Sequence, residues 1–526
     1  MRSGIRRFVT VSKIAALVVL AVLLTVNSAR AGSTKCDGFR IPILSFGLAT
    51  FSIELDKNCA LHLVSGSLLE DTSTRGVETP LGALPDTAAG KAASAKFANP
   101  APGDVLVIGG VSTKNTATEF FNPSTKKFAK TRLIGGPAAF TPVEFAAAGQ
   151  ILIAGGFNLA VPPSGVLPPA DIGHYLETVP STAAQLYTFA TGTVAATAGS
   201  NLNTARFAYT ATLISGCGCA ADGQVLIAGG FDANGKPLDS AELYDPTTQT
   251  FTLLTTPMTD HRALHTATLL NDGTVLIVGG IDRVAEVLFG LGASAVATNS
   301  AEIFDPATQT FTAIAATMPL GAAGHTATLL QNGQVLIAGG FEITPDPLAP
   351  LGSSINQAEI YDPVAQSFTA TESLTDDRVL HTATLLPNGS VLFTGGFTVG
   401  LSWMIDVPTD IASIVFESGS FPRNTAEIYN PAAGTFTCVK GTKSVNGAPD
   451  CLPSMVQARA GQSATLLTAA PLAGDVLIAG GWSKSAIQAT AELFDPAATK
   501  TSPNGSFKAT GRMSTAHTLH GALLVQ

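Results

Sequence analysis

Seven times in this chain a short apolar run ends in a pair of glycines: Gly109-Gly110, Gly155-Gly156, Gly229-Gly230, Gly279-Gly280, Gly339-Gly340, Gly395-Gly396 and Gly480-Gly481. In most copies an acidic-aromatic segment follows, then a tight turn and a second aromatic. A unit of this size cannot bury its apolar face alone, so copies must stack on one another. The chain is therefore an array of like modules.

The fourth copy shows what one module is. His265 to Leu270 alternates apolar and polar, as a strand does. Asn271-Asp272-Gly273 reads as a hairpin turn, because Asp-Gly tolerates positive φ. Val275 to Val278 is a continuous apolar run, the mark of a strand covered on both faces. Ala301 to Phe304 is a third strand, Asp305-Pro306 opens a turn, and Thr310 to Thr312 begins a fourth. Each copy is a four-stranded antiparallel meander, and seven arranged radially make an all-β, seven-bladed propeller. The segment Asp104 to Gly110 lacks a matching first strand upstream, while the C-terminal "HTLHGALLVQ" matches a first strand with no second strand after it. Thr518 to Val525 is therefore expected to pair with Asp104 to Gly110 and close the ring, removing exposed sheet edges.

The spacing of the aromatics is specific: Phe121 and Phe128, Tyr244 and Phe251, Phe304 and Phe311, Tyr361 and Phe368, Tyr429 and Phe436. The second copy has Tyr187 but Val194, and the seventh has Phe494 with a longer loop before Phe507. With the glycine pair and the acidic-aromatic strand, this resembles the Kelch repeat over roughly residues 104–526, in the superfamily of the galactose oxidase central domain. Phe stands where Kelch repeats usually place Trp. The resemblance implies the propeller and leaves function open, since propellers host unrelated activities. The copper-ligand pattern of galactose oxidase does not match: none of the six tyrosines is followed by His, and His174-Tyr175 has the reverse order.

The N-terminus reads as a secretory signal, residues 1–31. Arg2, Arg6, Arg7 and Lys13 precede the apolar run Ile14 to Val26, and Ala29-Arg30-Ala31 gives the small-x-small cleavage pattern. Residues 32–98 read as an N-terminal extension and linker, and 99–526 as the propeller. A secreted location, extracellular or periplasmic, is expected. After cleavage 24 basic residues face 38 acidic ones, a balance that argues against nucleic acid. No later stretch is long and apolar enough for a stable membrane span. Behind a signal peptide the six cysteines suggest disulfides, Cys36 with Cys59 and Cys438 with Cys451. Cys217 and Cys219 stay open between a disulfide and free thiols.

Candidate chemistry is sparse. Glu119, Glu242, Glu302, Glu359, Glu427 and Glu492 share one repeat position, where the second copy has Gln185. Arginines recur near the first strand: Arg132, Arg206, Arg262, Arg378, Arg459 and Arg512. A repeated pair reads as one structural ion pair per blade rather than as a catalytic ring. His265, His325, His381 and His520 also share a position and could converge on the axis, but no other feature marks a metal site, and no cofactor is expected.

The two kinds of loop differ. Turns after first and third strands are mostly tight. Long apolar insertions follow second strands, after Gly156, Gly280, Gly340 and Gly396, and the segment Val439 to Met455 joins them on that face. Insertions confined to one face are where repeat proteins bind, which makes Trp403, Phe289, Phe416 and Tyr175 the candidate contact residues. The chain thus reads as a secreted, non-catalytic binding or scaffolding module for a protein or carbohydrate. The alternative is a propeller enzyme, an oxidase, lyase or epimerase acting on a carbohydrate-like substrate.

Overall fold

The computed structural model describes residues 98–526, apart from 113–116, 135–136, 160–177, 287–292, 344–351, 399–404, 407–412, 415–420, 446–447, 484–485 and 498–502, and adds the backbone of four strands upstream. The chain divides into two units, Met1–Glu78 and Thr79–Gln526. In the first, Phe39–Phe46, Ala49–Leu55 and Leu61–Ser67 form a three-stranded antiparallel sheet.

The second unit is the propeller. Among the described residues it has seven blades, each an antiparallel sheet, and in all but the first the strands run in chain order from the axis outward. Blade three shows the pattern: inner Thr210–Leu213, second Val225–Ala228, third Ala241–Asp245 and outer Thr250–Leu253. Its second strand, Val-Leu-Ile-Ala, is wholly buried, because it faces the neighbouring blade on each side. The inner Thr-Ala-Thr-Leu strand is half-buried and lies beside the inner strands of adjacent blades. The outer strand is half in solvent, which its threonines tolerate.

The paired aromatics fill the wedge between blades. Their ring centroids are 4.7 Å apart for Tyr244 and Phe251, 4.9 Å for Phe304 and Phe311, and 4.8 Å for Tyr429 and Phe436, all tilted. Phe494 and Phe507 meet at 4.9 Å despite the longer loop. In blade two Tyr187 instead takes Phe189 edge-on at 5.6 Å.

Closure follows the expected exchange of termini. Gly521–Leu524 is the inner strand of blade one, antiparallel to Val105–Ile108, and His517–Thr518 pairs with Val111–Ser112. Gly82–Ala83 adds a short fifth strand outside Lys127–Ile134.

Both glycines of each pair are in the left-handed region, the first at φ of 60 to 65°. A Cβ on Gly279 would lie 2.9 Å from Cε1 of His325, and one on Gly280 would lie 2.7 Å from Cβ of His265. The pair is thus a double notch. Its first member receives the ring from the next blade, and its second receives the backbone of its own inner strand.

One position before those rings lies a second repeated feature. Ala139, Ala208, Leu264, Gly324, Leu380, Gly461 and Leu519 all have φ of 50 to 62°. Each donates its backbone N–H to the carbonyl of the same position in the preceding blade: Ala208 to Ala139 at 2.9 Å, Leu264 to Ala208 at 3.0 Å, Gly324 to Leu264 at 2.9 Å, Leu380 to Gly324 at 3.4 Å, Gly461 to Leu380 at 3.1 Å, Leu519 to Gly461 at 2.9 Å and Ala139 to Leu519 at 3.1 Å. The seventh bond returns to the first residue, so the backbone forms a closed hydrogen-bonded ring around the axis. Five members are not glycine, and each left-handed Ala or Leu costs on the order of 1 kcal/mol. An apolar collar packs on the ring, including Val111, Phe157, Phe231, Ile281, Phe341 and Phe397.

Removing residues 517–526 deletes one ring member together with blade one's inner strand. We expect Tm to fall by about 5 °C or more, and the amide of Ala139, whose acceptor is the Leu519 carbonyl, to lose its slow hydrogen exchange. Unchanged melting and exchange would contradict the closure.

Candidate functional site

The recurring Glu and Arg form one buried ion pair in each of four blades. Arg206 donates to Glu242 at 2.9 Å, Arg262 to Glu302 at 2.7 Å, Arg378 to Glu427 at 2.8 Å and Arg459 to Glu492 at 2.8 Å. All four guanidinium side chains have no solvent exposure. Each is a local clamp. Arg262 also donates to the carbonyls of Gly279 at 2.9 Å and Ser300 at 3.1 Å, tying the glycine pair to the third strand. The second carboxylate oxygen takes the backbone N–H three residues before the arginine: Asn203, Thr259, Thr375 and Val456. With every acceptor used, these glutamates are structural.

The other blades depart from the pattern, and two expected arginines are misplaced. Arg132 lies in the outer strand of blade one, and Arg512 lies exposed at the end of blade seven's outer strand. The place belongs to His517, whose Nδ1 meets the Gly109 carbonyl at 2.9 Å, while Glu119 accepts from the backbone of Ser514 and Thr515. The register, three residues before the ring-notch side chain, assigns this where proximity to the strand misled. In blade two, Pro137 and Gln185 replace both charges, Pro137 being the residue whose carbonyl accepts from Gly110 as that of Arg262 does from Gly230.

Blade five loses only the cation. Ala322 stands in the arginine's place, its carbonyl accepting from Gly280. Three residues earlier is Pro319, which has no N–H to give. Glu359 is 6% exposed, and its Oε2 has no hydrogen-bond partner. Burial pushes its carboxyl up to about 7.

The shared histidines are interblade staples. Nε2 of His265, His325 and His381 is hydrogen-bonded to the hydroxyls of Thr210, Thr266 and Thr326 in the preceding blade at 2.9, 2.9 and 3.0 Å, and that of His520 to Ser463 at 2.9 Å. Burial lowers them to about 3 for His265, His381 and His520 and about 4 for His325, so all are neutral at pH 7. Gln462 takes the place in blade seven and reaches the Thr394 carbonyl at 2.8 Å.

The insertions begin as β-ribbons running on from the glycine pairs. Phe157–Leu159 pairs with Thr178–Pro180, Ile281–Glu286 with Ala293–Ala297, Phe341–Ile343 with Gly352–Ser354, and Phe397–Thr398 with Phe421–Pro422. Ala293 of blade four's insertion pairs with Ile405 of blade six's, joining the two in one four-stranded sheet. Trp403, Phe289, Phe416 and Tyr175 lie outside the described residues, as do Cys36 and Cys59. Cys438 is bonded to Cys451, and Cys217 to Cys219. Glu427 lies beside the first of these disulfides, but with both sulfurs bonded and both its oxygens occupied, this trio is no metal centre.

Blade six's insertion root carries a cavity of about 330 Å³ lined by Thr398, Pro422, Arg423, Asn424, Lys443 and Asp450, among others. Arg423 organises it. Its guanidinium donates to Asp377 at 2.9 Å, Asp450 at 3.0 Å and the Thr398 hydroxyl at 2.7 Å, with Asp376 at 3.7 Å. Lys443 reaches Asp450 at 3.3 Å. The carboxylates hold Arg423 charged, its pKa raised by Asp376 first among them against the opposing effect of burial. Sequence reading missed this group because its members come from three separate loops; the doubled Asp376-Asp377 was the one visible sign.

The described residues form a seven-bladed β-propeller with Kelch-type repeats. The Kelch motif family matches residues 216–258, which span the second to outer strands of blade three. Among solved structures the chain is similar to "Structure of YjhT", at 14% identity over 71% of this chain and 97% of that one, with a TM-score of 0.43, a likeness that carries no argument about function. No curated protein matches the chain. Within the described residues no helix is long and apolar enough to cross a membrane. A Kelch propeller is in general a binding or scaffolding module.

Glu359 gives a sign-determined pH effect. Its folded value lies above the unfolded value of 4.5. The unfolded chain therefore loses its proton first as pH rises, and stability falls from about pH 4.5 until the cost is complete above about 7. We expect Glu359→Gln to stabilise the protein at pH 8 by on the order of 2 kcal/mol and to leave it nearly unchanged at pH 4. Urea melts at the two pH values check this; equal effects at both would contradict it.

Proposed function

We propose that this propeller is a secreted, non-catalytic module that binds a protein or carbohydrate ligand on the insertion-bearing face. The observation that carries the proposal is the asymmetry of the two faces. Four blades extend ribbons from one face, and two of these ribbons pair with each other. The opposite face keeps tight turns such as that at Asp272, whose carboxylate receives the N–H of Thr274. A ring held only for stability has no use for added chain on one side.

The cavity beside Arg423 supplies a specific contact on that face. Asn424, Thr425, Lys443 and Asp450 present donors and acceptors in a recess, the chemistry a hydroxyl-rich ligand requires. The charged groups are already paired with one another, which favours recognition over proton transfer. The candidate acids and bases of the repeat, the glutamates of the four ion pairs and the four histidines, are committed to the scaffold. These two facts support binding over the enzymatic alternative.

Shortening the 399–420 loop to a tight turn tests the larger surface, and Lys443→Ala tests the recess. We expect the shortened protein to keep a folded propeller with a cooperative melt and to lose its glycan-array or pull-down signal. Lys443→Ala should weaken a glycan signal about tenfold, as loss of a charge-assisted hydrogen bond would. Binding equal to the parent in both variants would place the ligand elsewhere.

A further inference from the structure

Four blades share one socket, and each fills it with its own arginine. The socket is a set of acceptors: a carboxylate on the third strand, the carbonyl of the first glycine, and the carbonyl and side chain of the residue two before the glutamate. In blade four these are Glu302, Gly279 and Ser300, and Arg262 meets them all, its Nη2 reaching the Ser300 hydroxyl at 2.8 Å. The corresponding groups in blade five are Glu359, Gly339 and Gln357, held in the same strand register, with Ile337 opposite Glu359 as Ile277 is opposite Glu302. The acceptors persist and the donor is gone. Two acceptors there, Oε2 of Glu359 and Oε1 of Gln357, are buried without a hydrogen-bond partner. Pro319 removes the amide that would otherwise have met the carboxylate.

Blade two shows the other way to lose the arginine: its glutamate is lost as well, to Gln185. Blade five instead keeps a buried carboxylate, an expensive group to leave alone. Its insertion also holds a particular place. The ribbon of blade five lies against those of blades four and six, whose own insertions pair with each other.

We propose that the arginine place of blade five is a binding site for a guanidinium-type cation supplied from outside the chain, either a free guanidino compound or the arginine side chain of a partner. The acceptors suit a planar fork of N–H donors, because the same set already holds one in the sister blades. A divalent metal would want several carboxylates, and blade five offers one. The site is independent of the recess at Arg423 and does not rest on the ligand proposed there.

Two substitutions isolate it. Glu359→Gln keeps the shape and removes the charge. Ala322→Arg fills the place from within. Thermal melting at pH 8 would compare methylguanidinium chloride with equal NaCl, and an arginine-containing peptide with its citrulline counterpart. The parent protein should show a saturable rise in Tm of about 2 °C with at least one cation, and both variants should show none. A response to methylguanidinium alone assigns a small ligand; a response to the peptide at tenfold lower concentration assigns a protein side chain. If Ala322→Arg fails to fold, the isosteric Glu359→Gln still decides. No response in the parent, or the same response in Glu359→Gln, overturns the proposal.

Discussion

The closed ring of seven backbone hydrogen bonds is the constraint on which the other repeated features depend. For each residue to donate to one neighbouring blade and accept from the other, the chain must turn sharply just before every inner strand, and only a left-handed residue does this. Five alanines and leucines accept that strain because all seven bonds form together. The Gly-Gly pair, the histidine staple and the apolar collar surround this turn, and each makes room for it or holds it. Because the ring passes through Leu519, the C-terminus is part of the framework of the first blade.

The ion pairs perform a second task on the same face. Each arginine ties the end of the second strand to the third, at the root of the link between them, and in blades four and six that link is an insertion. A buried pair of this kind adds little net stability over an apolar pair, but losing one partner costs about 3–5 kcal/mol. Blade two, with both charges replaced, is in keeping with that penalty. Blade five is the exception, and its unpaired carboxylate is where the repeat departs from a purely structural logic.

Particular residues show how far sequence reasoning reached. The hairpin at Asp272-Gly273, the buried run Val275 to Val278 and the strand exchange at the C-terminus were legible because they depend on local pattern: a turn dipeptide, a period and a missing partner. The aromatic pairs were legible from a constant spacing. His517 was not, because its role is defined by register against other copies, and Arg512 drew attention as the last arginine before the final strand. Arg423 was not, because Asp377 and Asp450 reach it from separate loops.

The sequence by itself determined the number of blades, the four repeated strands of each, the point of closure and the face that carries the insertions. Each follows from short-range pattern repeated seven times, and repetition makes a weak local signal strong. Only the tertiary structure decided what the recurring polar residues do. Whether a glutamate is paired, a histidine free or an arginine part of a recess depends on distances between segments tens of residues apart. The same Glu position is a satisfied clamp in blade four and an unpaired carboxylate in blade five because of two substitutions, Pro319 and Ala322, that lie about 40 residues before it. Their meaning appears only when the blades are superimposed.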